Sequence, residues 1–390
     1  MIFFWGWGMV YLTVFFKKSS GEIIRTEKNK YVASRVALRR FLGVDDVSDI
    51  GVTYLEGVDE LAGEGWRVIQ PPHGGKVVVT KDGLNLSEEV AIEKARKYIG
   101  KNDVVHVQFE GGMGDYLLQC DALRHAVREY SKKEFVCYVD PTRVCLLEKV
   151  DLPSCVKFVS GTIREKEYVD MRKITGMDYF HPPAGKAYTY GVLLGFRHDI
   201  GFCRIVLPSH LVSWAMEERA RILQGDGFLV ALHWQSGQPA NAKSWFWEKV
   251  EQFTERIGEE GGKVVVLGGY GEKVETKVKG LFQRQGVLSW EQVAAMVGAS
   301  DVVVAIDSAI MHIALRMSKP IVSLWGPTSK EWILPHFAKH VPIEGACSKR
   351  PCGRYNCVGR ECMGKIEVDS VIKSVLMVIS GQSGILWDKY

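Results

Sequence analysis

The chain has 390 residues, of which 46% are hydrophobic and 25% charged, and its formal net charge is +4. That composition excludes wholesale disorder, and the length suits two domains with an appendage better than one core. So small a charge, with basic residues dispersed along the chain, argues against a nucleic-acid partner. Nine cysteines with no cleavable secretory leader point to a reducing, cytoplasmic compartment.

Residues 1–16 carry no charge, include Trp5 and Trp7, and end at Lys17-Lys18. A spanning helix needs about 20 apolar residues, so this run is short for the task. The first reading is a buried strand pair. The second is a peripheral membrane contact with the tryptophans at headgroup depth, and the third is an artefact of start-site choice upstream of Met9. Residues 20–100 mix short apolar runs such as Lys76-Val77-Val78-Val79-Thr80 with a turn at Pro71-Pro72-His73-Gly74-Gly75 and a helical stretch at 87–99. This stretch reads as an appended α+β unit without chemistry of its own.

From Asp103 onward strands and helices alternate. Residues 104–109 read as a buried strand, Tyr116, Cys120, Leu123 and Val127 follow at helical spacing, and 135–139 form the next strand. Residues 160–225 are less regular, contain Pro182-Pro183 and Pro208, and end in a helical run at 211–223. Gln224-Gly225-Asp226-Gly227 is the best linker. The alternation resumes with a strand at 228–233, a helix marked by Phe246, Val250, Phe253 and Ile257, and strands at 264–267, 302–306 and 320–325. Such βαβ order predicts parallel sheets covered by helices, with ligands beyond the carboxyl ends of the strands. The expected division is an appendage at 1–100, an α/β half at 101–225 and a second at 226–390.

Three segments at strand ends carry candidate chemistry. Asp307-Ser308-Ala309-Ile310-Met311-His312 opens a helix after an apolar strand, and the next strand ends at Gly326-Pro327-Thr328. A helix N-terminus attracts anions, and the adjacent carboxylate and hydroxyls can hold sugar or phosphate oxygens. The plain alternative is an N-cap at Asp307 or Ser308, which leaves His312 unexplained. The turn Gly111-Gly112-Met113-Gly114-Asp115 permits close backbone approach to a ligand. It also admits a dinucleotide loop with Asp140 as the ribose acid, although Leu117 stands where the third glycine belongs. Asp115, at a helix start, is either a cap or a base for an acceptor hydroxyl. The loop 234–245 brings Ser236 and Lys243 just ahead of a helix, where the dipole disfavours a cation unless a diphosphate also binds.

Taken together, Gly111-Gly112-Met113-Gly114-Asp115, Lys243-Ser244-Trp245, the segment 307–312 and Gly326-Pro327-Thr328 resemble glycosyltransferase family 9, the bacterial heptosyltransferases. The resemblance covers about 103–375 and implies a GT-B architecture of two Rossmann-like domains facing across a cleft, with residues 1–100 outside it. It implies an inverting transfer, with no metal required, of a sugar such as heptose from an ADP-activated donor to a hydroxyl of a glycan such as lipopolysaccharide core, or of a protein. Asp115 is then the general base, with Gly111, Gly112 and Gly114 on the acceptor side. Lys243, Ser236, Asp307, Ser308, Ala309, His312, Gly326 and Thr328 are then donor-side residues. Ala309 replaces the family's usual glycine, which puts the donor sugar in question. The competing functions are a non-catalytic nucleotide-sugar-binding protein and a nicotinamide enzyme using the Gly112-x-Gly114 turn.

Cys347, Cys352, Cys357 and Cys362 recur at even spacing in a polar segment. Four thiols in one loop suit a structural tetrathiolate zinc or iron, expected to lie remote from the Asp115–Lys243 cleft; free thiols or two disulfides are the alternatives.

Overall fold

Strands that are apolar on both faces belong in a parallel sheet covered on both sides. The computed structural model shows this for Val302–Ile306 and Ile321–Trp325, which are buried throughout. The structure describes residues 11–17, 23–28, 50–56, 67–69, 78–81, 84–165, 167–172, 185–197, 201–237, 242–269, 276–335, 337–352 and 357–382. The turn at 71–75 and the pair Pro182-Pro183 lie outside them. The chain divides into two compact units, Met1–Gly100 with Lys173–Phe180, and Lys101–Arg172 with His181–Tyr390.

The first unit is built on antiparallel strands. Tyr11–Lys17 (β1) lies between Ile23–Lys28 (β2) and Ile50–Glu56 (β3), so the apolar N-terminal run ends in a paired strand. Arg67–Ile69 (β4), Val78–Lys81 (β5) and Leu84–Asn85 (β6) form a second small sheet. Leu86–Lys101 (α1) follows and buries Ile92, Ala95 and Ile99 at helical spacing. Among the described residues no helix is long and apolar enough to cross a membrane.

The second unit holds two parallel sheets. In the first, Val104–Gln108 (β7), Glu134–Val139 (β8), Val156–Ser160 (β9) and Val169–Asp170 (β10) take the order β10-β7-β8-β9. Met113–Glu129 (α2) follows β7 and is buried nearly all round, polar Gln119 and Asp121 included, because it is covered on more than one side. Val144–Leu147 (α3) and Gly185–Leu193 (α4) complete this half, whereas Ser209–Leu223 (α5) packs with the second sheet, its Arg219 bonded to the Ala299 carbonyl and paired with Asp301.

The second sheet comprises Phe228–His233 (β11), Gly262–Val266 (β12), Leu281–Gln283 (β13), β14 at Val302–Ile306, β15 at Ile321–Trp325 and Val341–Glu344 (β16). Their order is β13-β12-β11-β14-β15-β16. Trp247–Glu259 (α6), Trp290–Ala299 (α7), Ala309–Arg316 (α8), Lys330–Ile333 (α9), Glu361–Gly364 (α10) and Val368–Ile379 (α11) connect or cover it. Val250, Phe253 and Ile257 of α6 share one core with Val371, Ile372 and Val375 of α11, around the fully buried Trp245. Each such side chain contributes roughly 1.5–3 kcal/mol by leaving water. In both sheets the strand order reverses beside the first strand, between β7 and β10 and between β11 and β14. Ligands of doubly wound sheets bind at such switch points.

A buried ion pair joins the two halves. Asp121 of α2 and Arg316 of α8 are both inaccessible to water and bonded through the guanidinium NH2 and Nε. Arg316 also donates to the His312 carbonyl at 2.9 Å, while Asp121 accepts from the Cys203 amide at 2.8 Å. Burial pushes the Asp121 carboxyl up to about 6 against the opposing pull of Arg316 and that amide. Removing one partner strands the other charge. Arg316→Met or Asp121→Asn should each cost about 3–5 kcal/mol in denaturant unfolding, and pairing Arg316→Met with Asp121→Leu should recover most of the loss. Single variants within 1 kcal/mol of wild type would show that the pair does not hold the halves together.

Candidate functional site

The glycine turn after β7 is built around Asp115. Gly111 has φ +104°, and a side chain there would lie 2.5 Å from the Asp115 carboxylate. Asp115 Oδ2 accepts from the Gly112 amide at 2.8 Å, so it does cap the start of α2. Its other oxygen is free of that duty and takes the Lys186 ammonium, from α4, at 2.9 Å. Arg143 donates to the Gly111 carbonyl and stacks 4.5 Å from the Tyr116 ring centroid, bracing the turn from outside. Asp140 caps the short helical turn Pro141–Arg143 through Thr142, whose bonds hold its carboxyl below the usual range. A carboxylate committed in this way is a poor ribose acid, which weakens the nicotinamide reading.

The other side of the site comes from the second sheet. Ser308 stands at the N-cap position of α8, yet its side chain makes no capping bond. Its hydroxyl instead meets His233 Nδ1, at the end of β11, at 2.8 Å. Asp307, 6% exposed, accepts at Oδ2 from Thr328 Oγ1 at 2.9 Å and pairs there with Lys243 Nζ at 3.4 Å. The Ser236 amide donates to the buried Ser244 hydroxyl at 3.1 Å, and the Trp245 amide to the Trp234 carbonyl at 2.7 Å, which closes the base of the lysine loop. Ala309 is the first residue of α8, and Gly326 and Thr328 lie in the turn after β15.

His312 is where the two sides meet. Gly114 packs so closely on its ring that a methyl there would sit 2.6 Å from Cδ2. The imidazole is buried and its Nδ1 has no hydrogen-bond partner among the described residues. Burial above all, and then the charge of Arg316, pushes its pKa down to about 3; Asp115 opposes, while Lys243 and Lys186 add to the fall. His312 therefore stays neutral, within the fields of Asp115, Lys186 and Lys243 at once. Sequence spacing singles out Asp115, Lys243, Asp307, Ser308, Thr328 and His312, and the structure gathers them. It misses His233, Lys186 and Arg143; a histidine closing a strand is the one available sign for His233, and nothing in local spacing marks the other two.

The cysteine loop is not remote from this site. Cys352 donates its amide to the Pro327 carbonyl at 3.0 Å, within the Gly326-Pro327-Thr328 turn. Burial pushes the Cys362 thiol up and the charges of Cys347 and Cys352 add to it, whereas Cys357 is exposed. Among the described residues no group of three or more His, Cys, Asp or Glu is arranged to hold a metal ion.

Residues 207–362 match the family profile described as glycosyltransferase family 9 (heptosyltransferase). Over that span the chain is similar to glycosyltransferase family 9. That span includes Lys243, Asp307, His312 and Thr328, and the enzyme is a glycosyltransferase of GT-B fold. Among solved structures it is similar to a family 9 glycosyltransferase from Veillonella parvula, with 17% identity over 72% of this chain and 97% of that one and a TM-score of 0.54. It is likewise similar to the Escherichia coli ADP-heptose lipopolysaccharide heptosyltransferase II, with 13% identity over 73% and 100% and a TM-score of 0.57. The likeness to TibC of enterotoxigenic E. coli, a dodecameric iron-containing heptosyltransferase solved with ADP-D-β-D-heptose, has 11% identity and a TM-score of 0.53. It spans 96% of this chain and 92% of TibC, so it takes in the first unit as well. At these identities the likeness is one of fold. No curated protein matches the chain in sequence.

The neutral His312 sets a pH dependence. Its folded pKa, about 3, lies below the unfolded value of about 6.5, so its contribution is intact above pH 6.5 and lost as pH falls toward 3. Asp121, raised to about 6, acts with the opposite sign between about 4 and 6. Comparing wild type with His312→Gln isolates the histidine: the variant's stability should fall less steeply with acidification, by up to about 1.4 kcal/mol per pH unit between pH 6 and 4. Parallel pH profiles would place a protonated imidazole in the folded protein.

Proposed function

We propose that this glycosyltransferase moves a sugar, heptose in the first instance, from an ADP-activated donor to a hydroxyl of a glycan or protein with inversion at the anomeric carbon. The observation that carries this reading is the convergence of Asp115 from one sheet and Lys243, Asp307 and the start of α8 from the other on His312. Asp115 would take the proton of the acceptor hydroxyl as its oxygen bonds to the anomeric carbon. The bond to the diphosphate oxygen breaks on the opposite face, and ADP leaves with the electron pair. Negative charge grows on the diphosphate in that step, and Lys243 with the first amides of α8 is disposed to stabilise it. Asp307, held by Thr328 and Lys243, is placed to accept from sugar hydroxyls. Neutral His312 offers a nitrogen without adding charge beside the base. The methyl of Ala309 narrows the entry to α8 and bears on which sugar fits.

The two halves should separate kinetically. Asp115→Asn should cut transfer by the ~10²–10⁴-fold expected for a lost general base while leaving ADP affinity nearly intact. Lys243→Ala should weaken ADP and ADP-sugar binding as well as turnover, because a phosphate contact operates in ground and transition states alike. Thermal-shift assays with ADP, ADP-heptose, UDP-sugars, GDP-sugars and NAD test the donor class. Stabilisation by NAD alone would overturn the assignment.

A structural zinc or iron on Cys347, Cys352, Cys357 and Cys362 is the second part of the reading. Its support is the thiol-rich donor set and the iron named for TibC. Cys357 would have to turn inward to complete a tetrathiolate set, which then leaves no open position for catalysis. Protein purified anaerobically without chelator should contain one equivalent of zinc or iron. Metal well below that, with all four thiols titratable in the folded state, would remove the site.

A further inference from the structure

Arg350 lies in the cysteine loop and is 13% exposed at its side chain. Its Nε donates to the Gly326 carbonyl at 2.5 Å, and its NH1 donates to the Gly345 carbonyl at 3.3 Å and to Glu344 at 3.4 Å. Two residues on, the Cys352 amide takes the Pro327 carbonyl at 3.0 Å. Both bonds fall on the turn whose third residue, Thr328, holds Asp307, which in turn pairs with Lys243. The opposite side of the turn is equally constrained. A methyl on Gly326 would lie 2.4 Å from the Met363 sulfur, and one on Gly345 would run into the Cys362 carbonyl. Glu344 is itself tied to Lys330, at the start of α9 immediately past the turn.

We propose that Arg350 is a positioning residue for the nucleotide-sugar site: its guanidinium fastens the cysteine loop to the Gly326-Pro327-Thr328 turn and thereby fixes Thr328, Asp307 and Lys243 in donor-binding geometry. The proposal rests on the donor assignment above. A guanidinium suits the task because its rigid fork reaches two carbonyls and a carboxylate together, where an ammonium presents a single point of charge. The arrangement also makes donor affinity depend on the order of residues 345–352, whatever their thiols bind.

The test is calorimetric titration of ADP into the full-length wild type, Arg350→Lys and Arg350→Met, at a temperature below the melting point of each. Affinity should fall in the order wild type, lysine, methionine, with methionine weaker by about 10- to 100-fold, the effect of losing a charge-assisted bond. Partial rescue by lysine is what a role in general stability would not give. Should the methionine variant fail to fold, the lysine variant decides: it must bind ADP more weakly than wild type, and equal affinity overturns the proposal. Wild type that binds ADP, with either variant binding equally well, refutes the role of Arg350 alone. Wild type that binds no ADP overturns the donor reading and this inference with it.

Discussion

The geometry of the site depends on Asp121 and Arg316 meeting where water cannot reach either. A charge so placed must be paired, because desolvation of a lone carboxylate or guanidinium costs several kcal/mol. The requirement fixes the relative position of α2 and α8. Asp115 is six residues before Asp121 on α2, roughly 9 Å along the helix, and His312 is one turn before Arg316 on α8. Once the pair is made, the helix start bearing the carboxylate and the helix bearing His312 can sit in only one register. Gly114 makes that register sterically possible, since any side chain there would strike the imidazole. An ion pair of this kind adds little net stability, and its value lies in excluding other arrangements.

The site itself is an exercise in charge placement. Two carboxylates, Asp115 and Asp307, each carry a lysine partner, and the His312 imidazole, within the fields of Asp115, Lys186 and Lys243, is kept neutral by burial. Under the proposed roles, a neutral His312 adds no charge beside Asp115 as base or beside Lys243 as phosphate ligand. Ser308 shows the same economy: its hydroxyl is turned from helix capping toward His233, which leaves the first amides of α8 directed outward from the helix start. The thiol loop, bonded to the turn after β15, ties a region with no apolar core of its own to the residues that set Asp307.

Much of the fold could be read in advance because it is written in local periodicity. The run Phe228–His233 coincides with β11, and the helical spacing of Val250, Phe253 and Ile257 marks the buried face of α6. Parallel sheets follow from strands with no polar face, such as β14. The short strands at 156–160 and 281–283 are not legible in the sequence, because three to five residues of mixed polarity carry no periodic signal. Helix α4 is likewise not legible, because Gly185-Lys186-Ala187-Tyr188 has no cap motif or regular apolar stripe. The residues that complete the site were illegible for a different reason. Arg316 and Asp121 are 195 positions apart, and Lys186 and Asp115 are 71 apart, so nothing in local spacing announces either pair. A glycine-rich turn, by contrast, declares itself locally; its purpose, to admit the Asp115 carboxylate and the His312 ring, is visible only in three dimensions.

In the proposed function, one site at His312 receives the diphosphate from the α8 side and the acceptor from the Asp115 side. A crystal structure of the full chain with ADP tests this most directly. The β-phosphate should lie within hydrogen-bond distance of Lys243 Nζ and the amides at the start of α8, with the Asp115 carboxylate facing the space beside it. A nucleotide seated instead on the Gly111–Gly114 turn, with its ribose at Asp140, would overturn these donor and acceptor sides.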